Sequence, residues 1–363
     1  MLVATLGHRP DDDRIYYKEI VTLLGAGHEV TLVTRNQAPF NPGEQGFRHV
    51  DIASGRFGKF GRGLLDLAAS WRPQIVMIHE FELLPSGARI RKRWGTPLVY
   101  DVHEPNPQLW DLASTKPRWA TRLVNGALDR FERRYLRQVD HVLSTSPFIS
   151  PRYSERGLPT TLVPNFPRLP APAPAGEREP LVVYQGQVSF QRGLPQLIQA
   201  FASVLREHPT ARLELIGPPD MPGTAAKLRA ILEERGLQQN AALRDRIPHP
   251  AVLERLMQAT VGVVPFIDHP LFRAAVPIKL FEYMLCGCAV VASDLPVIRH
   301  FAHDAALLVP PGDVAALTQA ISSLLGDAER RESLAARGRK LVDTTCNWQQ
   351  VEPTLLATLD SLA

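Results

Sequence analysis

Cysteine is scarce in this chain: Cys286, Cys288 and Cys346 are the only three in 363 residues. That is too few for a disulfide framework. Cys286-x-Cys288 also lacks the two-residue spacer and the second pair of a zinc knuckle, so buried free thiols in a reducing compartment are expected. Long apolar runs are missing as well. No uninterrupted segment approaches the roughly 20 residues of a membrane span. There is no basic stretch at the start, where Met1 to Gly7 reads as a strand running into a loop, and a cytoplasmic location is expected. No HExxH type of spacing occurs, and no metal is expected. An interleaved aromatic platform of the kind that binds nucleic acid is absent too, so no nucleic-acid partner is expected.

What is present is an ordinary globular composition, 45% hydrophobic and 21% charged. The length exceeds one typical core and suggests two domains. Charge divides them. Residues 1–170 hold 23 Lys and Arg against 17 Asp and Glu, while the remainder holds 18 against 20. A basic first half and a slightly acidic second half imply different partners.

The first half alternates strand-like and helix-like segments: strands at 2–6, 29–34, 74–78, 98–102 and 141–144, helices at 16–26, 63–70 and 84–94. Repeated βαβ units make a parallel sheet covered on both faces, with ligands at the carboxyl ends of the strands. Gly7-His8, His79-Glu80 and His103-Glu104 fall there. For three histidines at one sheet edge a metal site, a structural role and a substrate cleft all remain open. Residues 116–137 form a basic helix whose Arg118, Arg122, Arg130, Arg133, Arg134 and Arg137 share one face, with Val124, Ala127, Leu128, Phe131 and Tyr135 opposite. This face is either solvated or a surface for anionic lipid headgroups or a phosphorylated acceptor.

A segment holding Pro164, Pro167, Pro170, Pro172, Pro174 and Pro180 reads as a semi-rigid linker. The alternation then resumes. The expected organisation is a domain at 1–166, a linker at 167–180, a second doubly wound domain at 181–345, and a final helix at 346–363 that crosses back to the first. Within the second domain, residues 276–294 carry the most chemistry. Pro277 suits a first helical turn, Gly287 a helix end, and Ala289 to Ala292 a buried strand. Lys279 and Glu282 share a face near the helix start, where phosphate binds readily and an acid can reach vicinal hydroxyls. An ordinary surface Lys–Glu pair would look the same.

Together with Gly186, Arg192-Gly193, Leu213 to Gly217 and Val261 to Pro265, the stretch Pro277 to Ser293 resembles the signature of the GT4 family of retaining, nucleotide-sugar-dependent glycosyltransferases. His8-x-Pro10-x-Asp12-x-Arg14-Ile15, Lys18-Glu19 and Tyr100 to Glu104 resemble the branch active in bacterial polysaccharide synthesis. The resemblance implies the GT-B fold, in which two Rossmann-like domains face a cleft. It implies metal-independent hexosyl transfer with no cofactor beyond a nucleotide-sugar donor, UDP-sugar by preference. It implies a saccharide acceptor, and the basic first half adds the expectation of a lipid-linked acceptor and of peripheral contact with the inner face of the cytoplasmic membrane.

Roles follow by position. His103, Arg192, Lys279 and Glu282 are implied as catalytic. Gly7, Gly186, Gly217, Arg246, Ile247, Ile278 and Leu280 join Arg192, Lys279 and Glu282 in the donor set. His8, Asp12, Arg14 and Glu104 are implied at the acceptor. Two departures stand out. Ala274 replaces the first acid of the family's E-x7-E motif, and Gln187 stands where many members carry arginine. Arg273 and Asp268 are candidate substitutes. A non-catalytic nucleotide-sugar-binding subunit and an isomerase of the UDP-sugar 2-epimerase type are the alternatives.

Overall fold

The computed structural model describes residues 1–53, 57–104, 118–169 and 178–363. They form two units, one of Met1–Asn165 with Trp348–Ala363 and one of Phe166–Asn347. Each is built on a wholly parallel sheet.

The first sheet contains β1 (Leu2–Ala4), β2 (Val30–Thr34), β3 (Phe47–Asp51), β4 (Val76–Ile78), β5 (Leu98–Val102), β6 (His141–Ser144) and β7 (Thr160–Leu162), in the order β3-β2-β1-β4-β5-β6-β7. The second contains β8 (Glu179–Gln185), β9 (Arg212–Ile216), β10 (Ala241–Arg244), β11 (Ala259–Val264), β12 (Ala289–Ser293) and β13 (Leu307–Val309), in the order β10-β9-β8-β11-β12-β13. Strand order reverses at β1 in one sheet and at β8 in the other, and such switch points open a crevice at the carboxyl ends of the strands. Central strands are runs of Val, Leu and Ile buried on both faces, as helices above and below require.

Three strands escape the sequence reading: β3, β7 and β10. All are edge strands and none has a fully buried residue, so none needs the apolar run that reveals a central strand. The helix Ala328–Thr344 is missed as well. Its charge hides a narrow buried stripe of Leu334, Gly338 and Val342. The expected first helix is wound as a π-helix over Ile15–Ile20 before becoming α-helical at Val21–Gly25.

The unit boundary also differs from the expected one. Phe166 packs edge-on against Phe281 and Phe301, at 4.8 and 5.6 Å between ring centroids, and so belongs to the second unit. The strand after the linker begins at Glu179, where Arg178 donates to the carbonyls of Ala259 and Cys286. Residues 170–177 of the expected linker lie outside the described residues. In the helix Arg118–Leu136 the inward positions are Thr121, Glu132 and Leu136, whereas Ala127 is exposed and Phe131, though its ring meets Phe81 and Tyr135, stays partly exposed.

The final helix, Trp348–Asp360, joins the first unit. Trp348 is fully buried, and its Nε1 donates to Thr22 Oγ1 at 2.9 Å, while that hydroxyl donates to Glu352 at 3.0 Å. Trp348→Phe removes one buried hydrogen bond and should cost about 1 kcal/mol. Trp348→Ala also opens a cavity and should cost about 3–5 kcal/mol. Urea unfolding of the two variants checks this, and equal costs would show that the anchor is not the indole.

Candidate functional site

In the second unit the switch point is occupied by Gln185, Gly186 and Gln187, which follow β8. Gly186 has φ +117°, and a Cβ there would lie 2.7 Å from Lys279 Nζ. Only glycine leaves that space. Lys279 projects from the start of the helix Ile278–Leu285 and is 4% exposed. Its ammonium group donates to Tyr184 Oη at 3.1 Å and lies 4.2 Å from the centre of that ring. Burial, then the charge on Arg192, pushes its pKa well below the ordinary lysine value, against the pull of Glu282.

Arg192 sits over the faces of Phe266 and Phe272, at 5.5 and 5.8 Å, and these two rings stack on each other at 4.4 Å. Its Nε is buried and makes no hydrogen bond among the described residues, and Nη2 donates to Gln187 Oε1 at a weak 3.4 Å. The next residue, Gly193, starts the helix Leu194–Glu207 at φ +76°, where a Cβ would meet the Pro265 carbonyl oxygen at 1.7 Å. That contact fixes Arg192 relative to β11.

Glu282 lies one turn along from Lys279 and is buried. One of its oxygens accepts from Gln185 Nε2, and the other lies 2.8 Å from His249 Nε2. Gly217, after β9, packs on the Gly186 carbonyl, and its amide donates to Arg244. Arg246 is exposed, and Ile247 and Ile278 are half-buried. One member of the expected donor set does not face this place. Leu280 is fully buried in the core and its amide donates to the Pro277 carbonyl, so neither can meet a ligand. The residues considered as substitutes for the missing acid, Arg273 and Asp268, are paired with each other at 2.5–2.6 Å on the surface. A groove of about 970 Å³ between the helices Leu194–Glu207 and Val314–Gly326 contains none of these residues.

In the first unit the edge after β1, β4 and β5 holds a dense polar cluster. Glu80 accepts from Thr5 Oγ1 and from the amides of Leu6 and Gly7, which fixes the Gly7 loop. Asp12 accepts from the amides of Arg14 and Ile15, capping the π-helix, and lies 3.0 Å from His8 Nδ1. The His8 ring meets the His103 ring edge-on at 5.0 Å. Burial opposes charge on His8, but Asp12 and Glu80 raise its pKa, whereas burial lowers that of His103 in spite of Asp101. Two adjacent imidazoles are thus pushed in opposite directions. Glu104 is half-buried.

Arg14 corrects its expected role. It is 2% exposed and cannot reach an acceptor. Its guanidinium holds both oxygens of Asp101, at 3.0 and 2.9 Å, and donates to the Val163 carbonyl at 2.9 Å. Its Nε also lies 2.8 Å from Glu19 Oε1, an ion-pair contact without hydrogen-bond geometry. Burial works against the Asp101 carboxylate, yet Arg14 and His103 hold it well below the usual range. Burial and the Asp101 charge push Glu19 well above it. Ligand atoms of His79, Asp101 and His103 all lie within 4.8 Å of one another. His249 and Gln185 are partners that sequence reasoning did not cast, since nothing in their spacing ties them to the site, and Glu19 was read only as part of the Lys18-Glu19 motif, with no role.

Comparison with known proteins identifies the lineage. Residues 19–166 match the glycosyl transferase 4-like domain, and residues 165–341 match glycosyl transferases group 1. The chain belongs to the group 1 glycosyltransferases. This glycosyltransferase is 29% identical over 238 residues to an alpha-maltose-1-phosphate synthase of Mycolicibacterium smegmatis, over 60% of this chain and 59% of that one. It is 27% identical over 292 residues to a 2-deoxystreptamine N-acetyl-D-glucosaminyltransferase of Streptomyces fradiae, over 74% and 67%. A stretch of 136 residues is 35% identical to an exopolysaccharide phosphotransferase of Streptomyces coelicolor, over 36% of this chain and only 13% of that protein. The chain therefore spans less than two thirds of the first and third of these relatives. Sucrose-phosphate synthase from Thermosynechococcus elongatus superposes with TM-score 0.78 at 21% identity, over 100% of this chain and 99% of that one. Anabaena HepE, in complex with UDP and glucose, gives 0.78 at 16%, over 99% and 100%. These likenesses show the GT-B fold.

The acid pair Glu19–Asp101 gives this glycosyltransferase a pH signature. Glu19 keeps its proton when folded but ionises from an ordinary 4.5 when unfolded. Its contribution is therefore fully present below about 4.5 and is lost as pH rises toward its folded pKa. Glu19→Gln removes that loss. Its melting temperature relative to wild type should climb between pH 5 and 8, and a difference independent of pH would show Glu19 to be ionised in the folded protein.

Proposed function

We infer that this glycosyltransferase moves a sugar, with retention, from a nucleotide-sugar to a saccharide or lipid-linked saccharide acceptor in cell-surface polysaccharide synthesis. The carrying observation is the meeting of Lys279 and Arg192 beside Glu282 at the end of β8. Lys279 has a tyrosine hydroxyl, and Arg192 an amide oxygen, where a carboxylate would be the usual partner. A diphosphate supplies the missing negative charge, and Glu282 accepts from ribose hydroxyls.

The chemistry asks little more of the second unit. As the bond from C1 to the phosphate oxygen breaks, negative charge grows on the diphosphate, and the two cations stabilise it without reorganising. The acceptor hydroxyl attacks the same face, and its proton passes to the departing phosphate oxygen. No protein nucleophile and no metal takes part. The UDP in the HepE complex supports uracil as the base, whereas one relative is a GDP-mannose-dependent mannosyltransferase of Corynebacterium glutamicum.

A thermal-shift screen with UDP-, GDP- and dTDP-sugars identifies the donor. Lys279→Ala and Arg192→Ala should then each lower kcat by about 10²–10³. A wild-type rate in Lys279→Ala would remove the phosphate assignment.

A lipid-linked acceptor is supported by the helix Arg118–Leu136. It exposes Trp119, Leu123 and Phe131 among Arg122, Arg130 and Arg134, the pairing of apolar and cationic groups that lies in a membrane interface. No helix among the described residues is long and apolar enough to cross a membrane. The double variant Trp119→Ser, Leu123→Ser should reduce co-sedimentation with anionic vesicles several-fold, and unchanged sedimentation would discard this surface.

A further inference from the structure

Three side-chain atoms in the first unit converge on one another: Asp101 Oδ2, His103 Nε2 and His79 Nδ1, separated by 2.8, 3.1 and 3.2 Å. The backbone explains the first pair. Asp101 and His103 are two apart at the end of β5, so both point to the same side of the sheet. His79 follows β4, which pairs with β5 through Ile78 and Tyr100. Two imidazole nitrogens and a carboxylate oxygen at such spacing resemble an unfilled metal triangle. The charges argue otherwise. Arg14 Nε lies 3.0 Å from the same Oδ2, with Nη2 on Oδ1. A fixed guanidinium already occupies the position from which a divalent cation would be repelled.

Arg14 therefore makes Asp101 a permanent acceptor. Of the two partners of His103 Nε2, His79 Nδ1 at 3.1 Å and Asp101 Oδ2 at 2.8 Å, the anionic oxygen is the nearer and can only accept, so that nitrogen carries the proton. The other ring nitrogen, Nδ1, is then unprotonated, and it takes no hydrogen bond from the described residues. The loop is fixed independently, because Thr145 Oγ1 donates to the His103 carbonyl at 2.8 Å. The ring remains 20% exposed, while Asp101 and His79 are sealed. Of the three groups, only His103 can meet a ligand.

We propose that Arg14 and Asp101 are positioning residues for transfer: they lock His103 as the Nε2-protonated tautomer, so that Nδ1 accepts a hydrogen bond from a substrate sugar hydroxyl. This rests on the proposed function for the identity of the ligand, but the tautomer does not. The groups facing the clamp are Glu19 and Arg14 from the π-helix and its start, His8 and Asp12 from the loop after β1, and His79 and Glu80 from the segment after β4. Of these, His79 alone comes within hydrogen-bond distance of His103 Nε2, at 3.1 Å, and Asp101 is the nearer partner at 2.8 Å. On this account, replacing Asp101 by asparagine puts an amide donor beside Nε2. The ring then moves its proton to Nδ1 and offers the hydroxyl a donor where an acceptor is needed.

The test uses full-length protein labelled with ¹⁵N-histidine. Long-range ¹H–¹⁵N spectra at pH 7.5, without substrate, assigned by the loss of signals in His103→Ala, should show His103 neutral and protonated at Nε2. In Asp101→Asn the proton should move to Nδ1. An Nδ1-protonated ring or an imidazolium in the wild type overturns the proposal, and so does an unchanged tautomer in the variant. Binding of one equivalent of Zn²⁺ or Co²⁺ that is lost in His79→Gln also overturns it, by making the triangle a metal site. With the donor in hand, Asp101→Asn should lower kcat at least about 100-fold and change donor KM less than about threefold. In a His103→Ala background the same change should cost almost nothing, because a residue acting through His103 has nothing left to position. Additive losses would mean a merely structural Asp101. Should Asp101→Asn fail to fold, the wild-type tautomer alone decides. Should no sugar be transferred at all, the spectra still judge the clamp, while the proposed function falls separately.

Discussion

A guanidinium sealed inside the first unit governs the polar chemistry around it. Burying such a charge costs several kcal/mol unless it is paired and its donors are satisfied. Arg14 meets that condition with the carboxylate of Asp101, the carbonyl of Val163 and the carboxyl of Glu19. One positive charge offsets one negative charge, however, and two carboxyls lie beside it. Burial, and then the negative charge of Asp101, pushes Glu19 well above the usual carboxyl range, while Arg14 holds Asp101 well below it. Burial and charge together thus set the protonation of the cluster. The π-helix belongs to the same account. Asp12 caps it, Arg14 begins it and Glu19 lies within it, so its unusual winding carries three of the cluster's side chains.

The second unit solves the opposite problem. Lys279 is as buried as Arg14, yet its hydrogen-bond partner is a phenol rather than a carboxylate. The faces of Tyr184 and Phe266 offset part of the cost, at 4.2 and 5.1 Å from the ammonium group, and such contacts give about 2 kcal/mol when desolvated. Arg192 rests on Phe266 as well. An apolar cage that sets two basic side chains near each other disfavours their charges, that of Lys279 above all. An anionic ligand favours them. That is why a stability argument alone would not place both charges here.

The sequence showed the central strands plainly, because Val, Leu and Ile runs are needed wherever helices cover both faces. It hid β3, β7 and β10, whose exposed edges relax that need. The site divides along similar lines. Lys279 and Glu282 could be read as a pair because helix starts have local rules, whereas Gly186 entered only through the family resemblance. Arg14 was legible as a motif residue but not as an interior one, since a motif does not state which way its side chain turns. Leu280 was drawn into the donor set by its neighbours, although the helix turns it into the core. His249 and Gln185 were beyond reach. They meet Glu282 across 33 and 97 positions of sequence, and such contacts exist only once β8, β11 and β12 are in register.

Glu282 draws these strands of argument together, because its usual partner acid is replaced by Ala274. A carboxylate offers about four lone-pair positions. Gln185 takes one on the first oxygen and His249 takes one on the second, so each oxygen keeps one. That remainder matches two vicinal hydroxyls, one for each oxygen, and leaves none for a third group. On the proposed reading Glu282 is therefore fully used by a ribose and cannot also hold the transferred sugar in place of the acid lost at 274. Arg273 and Asp268 do not supply it either, since each is already bound by the other. Recognition of the sugar in the second unit then falls to backbone groups and to the exposed remainder of Arg192. A site of that kind discriminates weakly among sugar hydroxyls and more strongly by shape.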